Sequence, residues 1–376
     1  MKVIIHAGPA KTGSSSIQAF LRANRVALLE QGILFPETPI SGHHGAYLSL
    51  IWSDQRVGNA GFANPPGHSA PIHADKIRRI CQSALERDAE RVRNFSPESV
   101  VLSAEHFTSL RGQELKDFLR LVARYFPGQT EFVFYVRNPV QWMASRHLQT
   151  LKRGVLSLGG GWGRPLFGVR RQVADISQLT GQRPSVFHYS RALFPGGDIN
   201  RQFVSEILSV SSPESLTYPA DRNASISAEL GLLLAEMRLK EFAELPFSSR
   251  PKKINDLRNV LAFWEAVNGA PKGIYKPLVQ DHILRKSHED LVWLQAEYGI
   301  ELQNNARYLQ AGKAEPFELS PTGNLTAPEL VRMLFEIDES HLDKLKAQAR
   351  TLEKRSVCRF SGKILRAVRS LLTRQK

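Results

Sequence analysis

Residues 1–16 read MKVIIHAGPAKTGSSS and combine a short apolar run with a loop that two glycines bracket. The apolar run at residues 3–5 predicts a buried strand, and the pattern IQAFLRANRVALLEQ after the serines predicts a helix. The N-terminus of a helix offers unpaired N–H groups and the positive end of its dipole. A strand, a glycine-bracketed loop and a helix in this order therefore predict an anion site, most simply for a phosphate group.

The loop departs from the common nucleotide pattern G-x-x-x-x-G-K-[ST] at one position. Gly8 and Gly13 have the separation of that pattern, but Ser14 stands where the pattern has lysine. The lysine of this loop is Lys11, two residues before the second glycine. A plain strand-to-helix turn, with a solvated lysine and serines that cap the helix, is the alternative interpretation.

A second candidate anion motif follows the apolar run FVFYV at residues 132–136, which predicts another buried strand. Arg137 comes directly after this run, and Pro139 suits the first turn of a helix because that position needs no N–H group. Ser145 lies about two turns into the same helix. Arginine offers a planar fork of donors to phosphate oxygens, and serine adds a hydroxyl group. Taken alone, Arg137 would fit a surface ion pair as well.

The two motifs together resemble those of sulfotransferases that use 3′-phosphoadenosine 5′-phosphosulfate (PAPS), and the resemblance covers roughly residues 1–245. It implies that Arg137 and Ser145 bind the 3′-phosphate of the donor. It also implies that Lys11 stabilises negative charge on the leaving phosphate. The loop residues that the resemblance assigns to the 5′-phosphosulfate are Lys11, Thr12, Gly13, Ser14, Ser15 and Ser16.

The same resemblance implies a catalytic base between the two motifs. Residues 99–103, SVVLS, predict a buried strand that leads to Glu105 and His106. Sulfotransferases use a glutamate or a histidine in this part of the chain, and Glu105 is our first choice, with His106 second. Successive residues that leave a strand point in opposite directions, so we expect only one of the two to face the site. The alternative for Glu105 is a helix cap or an ion pair with an arginine.

The acceptor is predicted to be a carbohydrate or a glycolipid, because the loops at 54–71 and 154–165 are long and polar. His43 and His44 are candidates for the acceptor pocket, although histidines at the surface would give the same pattern. Trp162 lies among glycines and is a candidate for a lid over a sugar. No spacing typical of metal ligands occurs, so no metal is predicted.

The alternation of predicted strands and helices indicates an α/β fold, with a P-loop-like parallel sheet flanked by helices and a mainly helical C-terminal extension. We assign residues 1–245 to the sulfotransferase-like core, 246–355 to a helical part of the same domain, and 356–376 to a basic amphipathic tail. The tail predicts either a helix in an anionic membrane interface or a terminal helix docked on the domain.

Four further predictions concern the bounds of single elements. Helices are predicted over residues 14–31, 287–298 and 328–354, and a surface loop over residues 54–71. The helices are predicted from their apolar spacing. The loop is predicted from its glycine, asparagine and proline content.

The chain has 376 residues, with 50 lysines and arginines against 36 acidic residues, and a formal net charge of +14. This surplus suits anionic partners such as PAPS, an anionic glycan or an anionic membrane, whereas nothing in the sequence indicates a nucleic-acid-binding fold. Two cysteines are too few for a disulfide framework. Since no leader and no apolar run of membrane-spanning length are evident, we predict a cytoplasmic protein, peripheral at the inner face of the membrane if the tail binds lipid.

Two other functions are compatible with the loop. One is an ATP-dependent small-molecule kinase, and the other is a non-catalytic nucleotide-binding protein at a membrane surface. A kinase would be expected to carry an aspartate at the end of the second buried strand, where this chain continues to Ser103, Ala104 and Glu105.

Overall fold

The computed structural model describes residues 1–40, 42–62, 73–153, 168–219, 226–241, 252–269, 273–302 and 325–354. The chain divides into two compact units. The first contains Met1–Asn138, Phe167–Asp221 and Ser287–Asn305, and the second contains Pro139–Leu166, Arg222–Lys286 and Ala306–Lys376. The domain boundary that the sequence predicts near residue 245 lies outside the described residues.

Five parallel strands form the sheet of the first unit, in the order β2-β3-β1-β4-β5. Their bounds are β1 (Lys2–His6), β2 (Ile33–Leu34), β3 (Ser99–Ser103), β4 (Gln129–Val136) and β5 (Ser185–His188). The central strands are apolar over most of their length because helices cover the sheet. The α/β class and the parallel sheet flanked by helices are thereby confirmed.

Thirteen α-helices accompany the sheet in the described part of the chain. They are α1 (Ser14–Ala23), α2 (Arg25–Glu30), α3 (Asp54–Asn59), α4 (Ala74–Phe95), α5 (Gly112–Tyr125), α6 (Pro139–Arg153), α7 (Val169–Thr180), α8 (Ile199–Glu206), α9 (Ala228–Glu241), α10 (Lys252–Asn268), α11 (Pro277–Tyr298), α12 (Ala327–Leu334) and α13 (Glu339–Lys354). Short 3₁₀ helices include His44–Leu50 and Glu105–Ser109.

The core beneath the first loop is built by β1, α1 and α8. Ile17 and Phe20 lie three residues apart on α1 and therefore share one face, which packs with Ile4 of β1 and Phe203 of α8. All four side chains are almost fully buried. Each such burial contributes about 1.5–3 kcal/mol to stability, so this packing fixes where α1 begins above the sheet.

The single helix predicted over residues 14–31 is wrong, because Asn24 ends α1 and separates it from α2. Its side-chain amide donates to Phe20 O at 2.9 Å and to Thr217 O at 2.8 Å, and its Oδ1 accepts from Thr217 N at 2.7 Å. These bonds bring a distant segment against the helix end. The break is therefore caused by a tertiary contact.

The surface loop predicted over residues 54–71 is also wrong in its first part. Asp54–Asn59 form α3, whose Val57 side chain is fully buried. The guanidinium of Arg56 lies over the ring of Trp52 and pairs with Glu114. Residues 63–71 of this predicted loop lie outside the described residues.

Two helix bounds in the C-terminal half differ from the prediction. α11 begins ten residues before the predicted start, at Pro277, which suits a first helical position. The helix predicted over residues 328–354 is two helices, because Phe335 is extended and forms a β-bridge with Tyr275 in the second unit.

None of the described helices has both the length and the apolar content that a membrane crossing requires.

We predict that Asn24→Ala lowers the free energy of unfolding by about 1–3 kcal/mol, because it removes three side-chain hydrogen bonds to the backbone of Phe20 and Thr217. Urea unfolding measures the change. Asn59→Ala, at an exposed helix end, is the matched control and should change stability by less than about 0.5 kcal/mol. Equal effects of the two substitutions would contradict the role given to Asn24.

Candidate functional site

The candidate site lies at the carboxyl edge of the sheet, where β1 is paired on both sides. Ala7 N donates to Val133 O at 2.9 Å, and Ala104 N donates to His6 O at 3.1 Å, so pairing continues to the last residues of the strand. Ligands of parallel sheets bind beyond this edge. The predicted site residues that follow β1, β3 and β4 here are Lys11, Glu105 and Arg137.

The loop after β1 is a tight turn with two residues in the left-handed region. Lys11 has φ 72° and Gly13 has φ 85°. Only glycine fits at position 13, because a Cβ there would lie 2.5 Å from Ile199 Cδ1. The hydroxyl of Thr12 donates to Pro9 O at 2.7 Å and holds the turn closed. A non-glycine residue in this region costs of order 1–3 kcal/mol, a strain that is typical of ligand sites.

Three polar side-chain atoms lie close around Gly8, and we call this cluster the cradle. A Cβ on Gly8 would lie 3.0 Å from Thr12 Oγ1, 3.3 Å from His6 Nε2 and 3.8 Å from Ser14 Oγ. His6 and Thr12 are fully buried, and Ser14 is 2% exposed. Neither His6 Nε2 nor Ser14 Oγ has a hydrogen-bond partner among the described residues.

The cradle lies beside the N-terminus of α1, where Gly13 is the N-cap residue and provides no side-chain cap. The first N–H groups of a helix have no intrahelical acceptor, and the helix dipole favours an anion beside them. The cradle therefore combines backbone donors with buried side-chain donors. This chemistry fits the oxygens of a phosphate group.

The last two serines of the predicted loop have other surroundings. Ser15 is exposed to solvent. Ser16 Oγ accepts a hydrogen bond from Asn200 Nδ2 at 3.2 Å, which ties α1 to α8. Of the predicted loop residues, the structure thus brings Thr12, Gly13 and Ser14 to the cradle, with Lys11 in the same turn.

Arg137 follows β4 and reaches the loop. Its Nη1 donates to Lys11 O at 3.4 Å, and its guanidinium carbon lies 5.4 Å from the ring centroid of Tyr189. Burial lowers the pKa of Arg137, while the hydroxyl of Tyr189 partly opposes this shift and the nearby charge of Arg191 adds to it. The guanidinium still carries its charge at neutral pH, so the edge beside the loop is electropositive.

Ser145, the predicted partner of Arg137, is half-buried on α6 in the second unit. The shared role of Arg137 and Ser145 at a 3′-phosphate therefore stays a prediction.

Glu105 and His106 begin the 3₁₀ helix Glu105–Ser109, directly beyond the end of β3. The ring of His106 lies 5.2 Å from that of His43 and 5.1 Å from that of Phe62, and Trp52 packs against Phe62 at 6.2 Å. We call His43, Trp52, Phe62 and His106 the aromatic cluster. Burial lowers the pKa of His106, and the Nδ1 atom of this ring has no partner among the described residues.

The two histidines predicted for the acceptor pocket have different environments. Burial, followed by the charges of His106 and Arg22, lowers the pKa of His43 to about 4, and this ring belongs to the aromatic cluster. His44 is fully buried, with Nδ1 accepting from Ser103 N at 2.8 Å and Nε2 donating to Pro36 O at 3.1 Å. Since both of its ring nitrogens bond to backbone, His44 joins a loop to β3, and we expect no contact with an acceptor.

Three residues of this edge were missed by the sequence analysis. His6 belongs to the strand itself, and Tyr189 and Arg191 follow β5. The positions of Tyr189 and Arg191 after a strand were a usable signal, because carboxyl ends of parallel strands share one edge. No comparable signal marks His6, whose neighbours come from distant parts of the chain.

Two predicted features cannot be placed. Trp162 and the basic tail at 356–376 lie outside the described residues. Within the described ranges, no group of three or more His, Cys, Asp or Glu side chains is arranged to hold a metal ion.

Comparison with family models, with curated proteins and with solved structures finds no significant match to this chain. Function is therefore inferred from the loop, the cradle and the charges at the sheet edge, together with the motif resemblance.

The buried histidines predict a loss of stability at acidic pH. Burial lowers the pKa of His6 to about 4 and that of His44 to about 3, from an unfolded value near 6.5. Between about pH 6.5 and pH 4 the unfolded chain binds more protons than the folded chain, so stability rises with pH through this window and is complete above it. At about pH 5, each of the two histidines should lower the free energy of unfolding by about 2 kcal/mol relative to neutral pH.

Urea unfolding at about pH 5 and about pH 7.5 measures this loss. His6→Phe keeps a buried ring but removes one titrating group, so the difference between the two pH values should shrink by about 2 kcal/mol. A wild-type midpoint that is the same at both pH values would contradict the account.

Proposed function

We propose that this protein is a PAPS-dependent sulfotransferase with a P-loop-like core, and that it transfers a sulfuryl group to a hydroxyl or amine of a carbohydrate or glycolipid. The observation that carries the proposal is the cradle at Gly8. Its buried donors, His6 Nε2 and Ser14 Oγ, have no partner in the described chain and lie beside the N-terminus of α1. A phosphate group would supply acceptors to all of them.

The charges around the cradle support a donor with more than one phosphate. Lys11 lies in the loop itself, and Arg137 and Arg191 follow the ends of β4 and β5. A nucleotide phosphorylated at both the 5′ and the 3′ position would place one anionic group in the cradle and the other beside the arginines. Arginine suits the second group because its fork of donors matches phosphate oxygens.

In the proposed reaction, an acceptor oxygen forms a bond to sulfur while the bond between sulfur and the 5′-phosphate oxygen breaks. The products are the sulfated acceptor and 3′,5′-ADP. Transfer of this kind needs positioning and charge stabilisation more than covalent chemistry from the protein. The ammonium group of Lys11 and the donors of the cradle would stabilise the charge that develops on the leaving phosphate.

A base must take the proton of the acceptor hydroxyl. We propose Glu105 for this role and His106 as the second choice, since both follow β3 at the same edge. The lowered pKa of His106 keeps its ring neutral at neutral pH, so that it could also accept a proton. Because His106 packs with His43, we propose that the aromatic cluster forms the acceptor side of the site.

We predict that 3′,5′-ADP binds more tightly than 5′-ADP or ATP, and that Arg137→Ala selectively weakens 3′,5′-ADP. The loss should be about 1.5–3 kcal/mol, because a charged hydrogen bond is removed. Isothermal titration calorimetry measures both effects. Arg124→Ala is the matched control, since Arg124 also lies 5.4 Å from a tyrosine ring but near the amino ends of the strands. Equal affinity for the two ADP isomers would contradict the proposal, and a Mg²⁺-dependent preference for ATP would favour the kinase.

We predict that Lys11→Ala and Glu105→Gln each lower PAPS turnover by about 10²–10⁴-fold, because charge stabilisation or proton transfer is lost in the transition state. Release of 3′,5′-ADP from PAPS, with a mixture of neutral glycans as acceptor, is the measurement. Glu98→Gln, an exposed carboxylate before the other end of β3, should leave turnover unchanged. Normal turnover in Glu105→Gln together with its loss in His106→Ala would assign the base to His106.

A further inference from the structure

His6 is a fully buried histidine at the last position of β1, and it can act as a donor in the cradle only if Nε2 is the ring nitrogen that carries its proton. Its ring packs edge-on against Tyr135 at 5.8 Å and against Phe203 at 5.6 Å. Burial among these rings lowers the pKa of His6 to about 4, so the imidazole is neutral at neutral pH. A neutral imidazole carries one proton, and the position of that proton decides what the ring can do.

Hydrogen bonds from two distant residues fix the position of that proton. Gln18 Nε2 donates to Ser103 Oγ at 3.2 Å, and Ser103 Oγ lies 2.8 Å from His6 Nδ1. Among the described residues, His6 Nδ1 is the one acceptor within reach of the Ser103 hydroxyl proton, so we infer that Ser103 donates to Nδ1. His6 therefore accepts at Nδ1 and holds its proton on Nε2.

The protonated Nε2 of His6 faces the cradle. It lies 3.3 Å from where a Cβ on Gly8 would stand, next to Thr12 Oγ1 and Ser14 Oγ. The hydroxyl of Thr12 donates to Pro9 O, whereas His6 Nε2 and Ser14 Oγ have no partner among the described residues. Two buried donors of this kind, at the N-terminus of a ten-residue helix, indicate an acceptor that is not among the described residues.

We propose that His6 is a neutral hydrogen-bond donor to the phosphate group held in the cradle, and that Ser14 is a second donor to it. The proposal rests on the proposed function, which makes the 5′-phosphate of the donor nucleotide the ligand. No proton is transferred, because His6 gives a hydrogen bond and keeps its proton. The chain from Gln18 through Ser103 to His6 positions that donor before the ligand arrives.

The test compares two ligands that differ only in the phosphate in question. Calorimetry of 3′,5′-ADP and of adenosine 3′-monophosphate is carried out with the wild type, His6→Phe and His6→Gln. His6→Phe should weaken 3′,5′-ADP about 10–100-fold, because a hydrogen bond to a charged group is lost, and should leave the 3′-monophosphate unchanged. His6→Gln should recover part of the affinity, since its amide N–H can reach the position of Nε2.

Each other outcome has a definite meaning. Unchanged affinity of His6→Phe for 3′,5′-ADP, or equal weakening of both ligands, would overturn the role of His6 while leaving the proposed function intact. Failure of the wild type to bind 3′,5′-ADP would overturn the proposed function and this inference together. Melting temperatures of the variants verify that each one is folded.

If His6→Phe does not fold, nitrogen-15 NMR of the wild type decides the matter. We expect Nε2 of His6 to carry the proton and its resonance to shift when 3′,5′-ADP is added. His44 is the internal control, because its Nε2 already donates to Pro36 O and should not shift. A proton on Nδ1 of His6, or an Nε2 resonance that 3′,5′-ADP leaves in place, would overturn the proposal.

Discussion

The pairing of β1 with parallel neighbours on both sides is the constraint on which the rest of the site depends. His6 is opposite Ser103 of β3 and Val133 of β4, so β1 and β3 end together and β4 continues three residues further, to Val136. A shift of the register by one residue would turn every side chain of β1 to the other face of the sheet. His6 would then leave the cradle, and the loop would no longer begin between the residues that follow β3 and β4.

In the proposed site, charged side chains attract the ligand and neutral side chains orient it. Lys11, Arg137 and Arg191 provide positive charge at the edge of the sheet, where it can attract an anionic ligand over some distance. The buried donors of the cradle, His6 and Ser14, are neutral and act only at hydrogen-bond range. Neutral donors suit a buried position because a buried charge without a partner is costly, and in the proposed site they would hold a phosphate in one orientation without changing the charge of the core.

The local sequence was sufficient to predict the strands, the loop after β1 and most helices. The apolar residues of each strand and helix have the spacing of one buried face. The local sequence failed where a distant residue decides the local structure. The end of α1 at Asn24 depends on Thr217, and the extended residue Phe335 depends on Tyr275. The role that we propose for His6 could not be predicted for the same reason, since it depends on the hydrogen bond with Ser103, 97 residues along the chain.

The most direct test of the central claim is a crystal structure of the protein with 3′,5′-ADP. The account predicts that the 5′-phosphate lies in the cradle, within hydrogen-bond distance of His6 Nε2, Ser14 Oγ and the first N–H groups of α1, with the 3′-phosphate beside Arg137. A nucleotide bound away from the carboxyl edge of the sheet, or one whose 5′-phosphate lies outside the cradle, would contradict it.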